Sequence, residues 1–165
     1  MRTVKQVLST GSLMLAGLIA APLHMAPVQH LTAAVSYQHD ERVERLRHFF
    51  NERECPAEEL ARDFVAAADL NGLDWRLLPS ISFIESSGGK RYLNNNILGW
   101  DSCRTGFDTV REGVFHVASR LAKSDLYKDK SVEQILRTYN PFPSYVPQVT
   151  RIMNTIGPPD LGSFN

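Results

Sequence analysis

The sequence lacks most of the motifs on which common enzyme chemistries depend. Its 165 residues include two cysteines, which form no CxxC pair, and there is no HExxH motif. Residues 88–90, Gly-Gly-Lys, lack the remainder of a phosphate-binding loop, and no G-x-S-x-G nucleophile elbow occurs. These absences argue against a zinc enzyme, a nucleotide-binding protein and a serine hydrolase. We therefore expect neither a metal ion nor a cofactor.

Neither sign of charge is in excess. The chain has 18 Lys+Arg and 18 Asp+Glu, and no acidic residue precedes Asp40. Because Arg2 and Lys5 are the basic residues of the first 34 positions, the remainder carries 16 basic and 18 acidic side chains. A domain that binds nucleic acid usually presents a basic surface. The balance therefore predicts no nucleic-acid partner.

Residues 1–34 have the composition of an export signal. Arg2 and Lys5 give a positive start before residues 7–23, which are mostly apolar. The small residues at 32–34, Thr-Ala-Ala, suit a cleavage site. The apolar stretch is close to the roughly 20 residues that span a bilayer, so an uncleaved N-terminal anchor is the alternative. We expect an exported protein, periplasmic or extracellular, with a membrane association if this segment is retained.

Apolar residues recur every three or four positions through the rest of the chain, which predicts helices. The predicted helices cover residues 40–53, 56–71, 74–85, 109–123, 131–139 and 145–156. Pro79 lies near the start of the third helix, where it predicts a distorted first turn. No alternating run is long enough for a strand. The pattern predicts an all-α domain with short loops over residues 40–156, followed by a tail over residues 157–165.

Glu85 stands out because an apolar helix leads to it and the chain breaks directly behind it. It follows Ile81 by four residues, and the sequence Ser-Ser-Gly-Gly comes next at 86–89. A carboxyl group at the border of an apolar face has a raised pKa and can hold a proton near neutral pH. A glycosidase uses such a group to protonate the leaving oxygen, and the glycines would let a sugar approach the backbone. The alternative is a helix-terminal glutamate that faces solvent.

Three blocks of the sequence resemble the lytic transglycosylase and bacterial glucosaminidase family. Residues 66–86, AAADLNGLDWRLLPSISFIES, are similar to the helix, Gly-Leu-Asp turn and helix that end in the catalytic Glu-Ser of that family. The stretch NNILGW at 95–100 resembles its Asn-Asn-hydrophobic-Phe-Gly block, with Leu98 in place of Phe. The stretch Tyr-Asn-Pro at 139–141 resembles its late Tyr-Asn motif. The resemblance implies a lysozyme-like helical fold and action on peptidoglycan.

The resemblance also implies roles for single residues. Glu85 would be the catalytic acid/base, and Ser86 would orient its carboxyl group. The implied substrate-binding residues are Ser86, Asn95, Asn96, Trp100, Tyr139 and Asn140. Tyr139 would hydrogen-bond Glu85 or the acetamido group of the substrate. Asparagines in such a loop also have a simpler alternative, which is to form turns.

The chain departs from the family between residues 101 and 107. Glucosaminidases often carry a β-hairpin lobe with a second carboxylate there, and this interval has no room for one. Asp101 is the best candidate for a second carboxylate, because Asp108 and Glu112 have helix-capping roles. We therefore expect Glu85 alone to cleave β-1,4 bonds between N-acetylglucosamine and N-acetylmuramic acid, by hydrolysis or by transglycosylation that leaves an anhydro end.

Two functions from other classes stay open. The first is a non-catalytic module with a lysozyme-like shell that binds peptidoglycan strands or organises a larger assembly, which the missing lobe favours. The second is a helical adaptor anchored through residues 7–23, for which Glu85 would be incidental.

Cys55 and Cys103 are expected to bridge if the protein is exported, because an oxidising compartment favours disulfides. The bridge would tie the start of the second helix to the loop after Trp100. Two independent thiols are the alternative.

Overall fold

The computed structural model describes residues 37–159, and this part of the chain is all-α, as predicted. Within it lie α1 (Glu41–Asn51), α2 (Ala61–Asn71), α3 (Leu77–Ser86), α4 (Val110–Lys123), α5 (Val132–Tyr139) and α6 (Tyr145–Ile156). Two 3₁₀ helices, Pro56–Leu60 and Trp100–Cys103, precede α2 and α4 respectively. No helix in this range is both long and apolar enough to cross a bilayer. The predicted signal or anchor, and most of the predicted tail, lie outside the described residues.

Local capping interactions fix three helix ends. The Thr109 hydroxyl accepts a hydrogen bond from the Glu112 amide at 3.1 Å and begins α4. Ser131 and Gln134 form a reciprocal capping box at the start of α5. Gly72 ends α2 in the left-handed conformation, with φ at 63°. These local interactions supply partners for backbone groups that a helix end leaves free.

The second and third predicted helices begin later than expected. Pro56 opens a 3₁₀ helix, and α2 starts only after it. Asp74 forms a turn by accepting a hydrogen bond from the Arg76 amide at 2.9 Å, and α3 starts at Leu77. Pro79 then lies in the first turn of α3, where its missing N–H would have no helical acceptor. The predicted distortion therefore takes the form of a delayed start.

The apolar face of α3 lies in the hydrophobic core. Leu77, Leu78 and Ile81 have no exposed surface, and Leu98 from the following loop is 1% exposed. α3 packs against α2 and α6, and α2 also packs against α1 and α4. Each side chain of this size stabilises the fold by roughly 1.5–3 kcal/mol when it is fully buried. Core packing therefore sets where the end of α3 meets the start of α6.

A partly buried ion cluster joins the start of α1 to the end of α2. The Arg42 guanidinium donates to Asp40 Oδ2 and to Asp69 Oδ1, at 2.7 Å in each case. The Tyr37 hydroxyl also donates to Asp69, and burial together with this bond raises the pKa of Tyr37 to about 12. Burial acts to raise the pKa of Asp40, but hydrogen bonds from Arg42 outweigh it and lower the pKa below 3.8. The stability that Asp40 contributes is therefore present above pH 3.8 and is lost as the pH falls through its folded pKa.

We expect Arg42→Gln to lower the free energy of unfolding by about 3 kcal/mol, because two partly buried carboxylates lose their partner. The matched control is Arg47→Gln on the same helix, whose pair with Glu44 is exposed. The control should cost no more than about 0.5 kcal/mol. Urea unfolding at neutral pH measures both values. Equal losses would contradict the structural role given to the Arg42 cluster.

Candidate active site

A cleft of about 720 Å³ opens beside the end of α3. It is lined by Glu85, Gly99, Trp100, Asp101, Ser102, Thr105, His116, Arg120, Leu126, Tyr127, Tyr139 and Asn140. Five residues predicted for the site therefore come together: Glu85, Trp100, Asp101, Tyr139 and Asn140. A cleft of this volume falls in the range of ligand-binding sites.

The chain behind Glu85 forms a left-handed turn that packs against Cys55. Ser87 ends α3 with φ at 55°, and Gly88 and Gly89 follow with φ at 65° and 84°. A Cβ added to Gly88 would lie 2.8 Å from Cys55 Sγ, so glycine permits a close approach there. The predicted role of these glycines in sugar approach is wrong, because the segment that starts at Cys55 occupies that space.

Gly99 makes room for the Glu85 carboxyl group on the opposite side. The residue has φ at 68°, which suits glycine, and a Cβ added there would lie 2.7 Å from Glu85 Oε2. Any side chain at this position would displace the carboxyl group or the loop. Glycine at position 99 therefore leaves free the space that the Glu85 carboxyl group occupies.

Tyr145 holds the other carboxyl oxygen of Glu85. Its hydroxyl, at the start of α6, donates to Glu85 Oε1 at 2.7 Å. Tyr139 was expected to bond Glu85 or the acetamido group of the substrate. The first of these is wrong, because its hydroxyl donates to the Leu98 carbonyl at 2.6 Å. The two tyrosine rings stack with centroids 6.2 Å apart, so Tyr139 supports Tyr145 from the side.

The environment of Glu85 favours its protonated form. The side chain stays accessible through the cleft, yet the protein around it removes part of its hydration. Burial raises the pKa of Glu85, and the smaller opposing effect of the Tyr145 hydrogen bond leaves the pKa above its ordinary value. Burial and the nearby Glu85 charge in turn raise the pKa of Tyr145, which keeps it a proton donor in the bond. This shift lets the carboxyl group keep its proton to a higher pH than an ordinary glutamate does, which is the direction that a general acid requires.

Ser86 has a structural role that differs from the predicted one. Its side chain is 3% exposed, and its hydroxyl donates to the Ser82 carbonyl at 2.8 Å. The same hydroxyl accepts a hydrogen bond from the Gly89 amide at 3.0 Å. The expectation that Ser86 orients the carboxyl of Glu85 and binds substrate is therefore wrong, because its hydroxyl closes the turn behind the helix.

Asn95 and Asn96 brace the loop and do not line the cleft. Asn95 donates to the Phe107 carbonyl at 2.9 Å. Asn96 is 2% exposed, donates to the Trp100 and Thr105 carbonyls, and accepts from the Trp100 amide at 2.9 Å. The prediction that both amides bind substrate is wrong, because the backbone of their own loop uses their hydrogen-bonding groups. The turn alternative is the one that the structure shows.

Aromatic rings form one wall of the cleft. Trp100 lies 5.9 Å from Tyr127 and 5.8 Å from Tyr139, measured between ring centroids. Asn140 lies beside Tyr139 on this wall, and its Oδ1 accepts a hydrogen bond from the Phe142 amide at 3.1 Å. Rings next to polar groups suit a ligand that has both apolar faces and hydroxyl or amide edges.

Sequence reasoning misses several residues of the site, among them His116, Arg120, Tyr127 and Tyr145. His116 and Arg120 lie four positions apart on α4, so they share a helix face, but the sequence does not show that this face meets Glu85. Tyr127 follows α4 and reaches the cleft through a turn. Tyr145 is recognisable as the first residue of a helix, and a tyrosine buried there needs a partner for its hydroxyl.

Asp101 lies in the cleft, but its carboxylate is already engaged. It accepts hydrogen bonds from the Arg104 guanidinium and, at 3.2 Å, from the Thr105 hydroxyl. The backbone is left-handed over three successive residues, with φ at 51° for Asp101, 54° for Ser102 and 59° for Cys103. Each such residue costs roughly 1–2 kcal/mol. The Asp101 carboxylate is therefore part of a strained, internally bonded turn.

Cys55 and Cys103 are both free thiols, so the predicted disulfide is wrong. The two sulfur atoms pack against different segments: Cys55 Sγ contacts the Arg53 carbonyl at 3.4 Å, and Cys103 Sγ contacts the Asn96 carbonyl at 4.0 Å. Burial raises the pKa of Cys55. Within residues 37–159, no group of three or more His, Cys, Asp or Glu side chains is placed to hold a metal ion.

We expect Tyr145→Phe to raise the pKa of Glu85 further, because the lost hydrogen bond favours the carboxylate form. A ¹³C NMR titration of the Glu85 carboxyl group measures the shift. The matched control is Tyr139→Phe, which removes a hydroxyl bonded to Leu98 and should shift the Glu85 titration less. A fall in the Glu85 pKa in Tyr145→Phe would contradict the assigned hydrogen bond.

We expect Ser102→Gly to raise the free energy of unfolding by about 0.5–1 kcal/mol, since glycine accepts the left-handed conformation at little cost. Ser102→Ala keeps the Cβ and therefore keeps the strain, so it should give no such gain. Thermal unfolding of the two variants beside the parent protein measures the difference. A gain of equal size in both variants would show that the side chain, and not the backbone, is responsible.

The residues that line the cleft and the motifs in the sequence are the basis for assigning a function. No family model, curated protein or solved structure with which the chain was compared matches it.

Proposed function

We propose that the protein cleaves β-1,4 bonds between N-acetylglucosamine and N-acetylmuramic acid in peptidoglycan, with Glu85 as a single acid/base. One observation carries the proposal. The Glu85 carboxyl group, with a pKa raised by burial, opens into a cleft of about 720 Å³ and is held between Gly99 and Tyr145. The proposal includes a lysozyme-like arrangement of the helices, and export to the cell wall by a segment at residues 1–34 that is either cleaved or retained as an anchor.

The proposed reaction moves one proton out of Glu85 and one back. The protonated carboxyl group gives its proton to the glycosidic oxygen, the bond from that oxygen to the anomeric carbon breaks, and positive charge develops on the sugar. The resulting Glu85 carboxylate then takes a proton from the nucleophile whose oxygen bonds to the anomeric carbon. If the nucleophile is water, the result is hydrolysis; if it is the 6-hydroxyl of the same sugar, the result is an anhydro end. Tyr145 donates to Oε1 throughout and stabilises the carboxylate formed between the two steps.

The aromatic wall of the cleft supplies the proposed sugar contacts. Trp100 and Tyr127 present rings on which the apolar face of an amino sugar can pack, and Asn140 presents an amide at the edge. These residues take over the binding role that the asparagines before Trp100 do not fill. A sugar seated against this wall would lie beside Glu85, because the same cleft contains both.

The state of Asp101 favours catalysis by one carboxyl group over a two-carboxylate hydrolysis. An inverting enzyme needs a second carboxylate that is free to activate water. Asp101 instead accepts bonds from Arg104 and Thr105. The same observation favours the second candidate function, a module that binds peptidoglycan strands without cutting them, since water has no second carboxylate to activate it.

We expect Glu85→Gln to lower the rate of peptidoglycan cleavage by at least about 10²–10⁴-fold, because the amide cannot donate the proton. The substitution keeps an oxygen that accepts from Tyr145, so the circular dichroism spectrum should not change. The matched control is Glu112→Gln, whose carboxylate accepts a hydrogen bond from the Asp108 amide away from the cleft. Asp101→Asn should cost far less than Glu85→Gln.

Mass spectrometry of the products released from purified sacculi distinguishes the outcomes. Anhydro ends indicate transglycosylation, and reducing ends indicate hydrolysis. Undiminished cleavage by Glu85→Gln would contradict the catalytic role of this residue. Sacculi that the parent protein binds and leaves intact would support the non-catalytic module.

A further inference from the structure

Arg120 brings a positive charge to the cleft. It lies in the last turn of α4, and its carbonyl accepts the amide and the hydroxyl of Ser124, at 3.1 and 2.7 Å, which fixes the end of the helix. Its guanidinium makes no hydrogen bond or ion pair with any residue between 37 and 159. By contrast, Arg104 pairs with Asp101 and Arg111 pairs with Asp63.

The two acidic groups that line the cleft are not partners for Arg120. Glu85 accepts a hydrogen bond from Tyr145 and forms no ion pair with Arg120. Asp101 is held by Arg104. His116, one turn earlier on α4, packs against the Phe107 ring with centroids 5.3 Å apart. Among the described residues that line the cleft, Arg120 is the one lysine or arginine.

We propose that Arg120 binds a carboxylate carried by a substituent of the sugar chain, and that it makes the cleft selective for acidic over neutral amino-sugar strands. This inference rests on the function proposed for Glu85. A guanidinium pairs with a carboxylate through two parallel hydrogen bonds, which gives orientation as well as affinity. The bound carboxylate would set the register of the strand so that a particular glycosidic oxygen faces Glu85.

Two parts of peptidoglycan can supply this carboxylate. One is the lactyl group of N-acetylmuramic acid, which is free where the stem peptide has been removed. The other is a carboxylate of the stem peptide itself, which is present where the lactyl group is blocked by an amide bond. Three soluble ligands separate these sources: a neutral β-1,4 N-acetylglucosamine oligomer, a peptide-free alternating strand, and a peptide-bearing alternating strand.

The test measures the dissociation constants of the three ligands by calorimetry with the full chain carrying Glu85→Gln, so that no ligand is cleaved. Adding Arg120→Gln should weaken binding of a carboxylate-bearing strand by about 10- to 100-fold, the range for a hydrogen bond to a charged group. The neutral oligomer should lose much less affinity. The matched control is Lys123→Gln, which removes one positive charge from the same helix and does not line the cleft. It should change each constant by less than about twofold, as expected for an exposed, screened charge.

The ligand that loses affinity identifies the carboxylate. A loss confined to the peptide-free strand assigns the lactyl group, and a loss confined to the peptide-bearing strand assigns the stem peptide. Equal losses for all three ligands, or no loss for either acidic strand, would overturn the inference while leaving the proposed function intact. Failure of the Glu85→Gln chain itself to bind any of the three would instead count against the proposed function.

Discussion

The hydrogen bond from Tyr145 to Glu85 is the interaction on which the candidate site depends. It joins the last turn of α3 to the first turn of α6, two helices that pack together in the core. Gly99 closes the other side of the same carboxyl group, at a distance that excludes any side chain. The acid is therefore fixed on two sides by protein and open on a third to the cleft. A carboxyl group held in this way can have a raised pKa without being removed from the reach of a ligand.

In the loop between α3 and α4, the polar side chain of Asn96 stabilises the loop and does not face the cleft. The Asn96 side chain is buried and forms three hydrogen bonds with the backbone of that loop. These bonds offset part of the cost of the left-handed turn at 101–103 and hold Trp100 at the edge of the cleft. Other segments add further side chains to the lining of the cleft, among them Tyr127 and Arg120.

The cleft contains a carboxyl group, Glu85, and a guanidinium group, Arg120, that form no ion pair with each other. An ion pair between Arg120 and Glu85 would lower the pKa of the carboxyl group and oppose the effect of burial. The structure pairs Glu85 with a neutral phenol instead, and it pairs Asp101 with Arg104. Within residues 37–159, the cleft therefore holds a carboxyl group and an arginine that has no acidic partner, which is the combination that the proposed reaction on an acidic strand requires.

The sequence by itself determined the helices, their caps and the catalytic candidate. Thr109, Ser131 and Gly72 act as their types predict, because capping depends on residues within one turn. Glu85 was identifiable because an apolar period and a glycine break are both local patterns. Tertiary structure alone decided which polar groups meet. Asn95 and Tyr139 have hydrogen-bonding groups that suit a sugar as well as a backbone carbonyl, so only the position of the neighbouring chain shows which partner they take. Arg120 and Tyr145 lie far from Glu85 in sequence. The packing of α4 and α6 brings them to Glu85, and the spacing of apolar residues within one helix does not predict that packing.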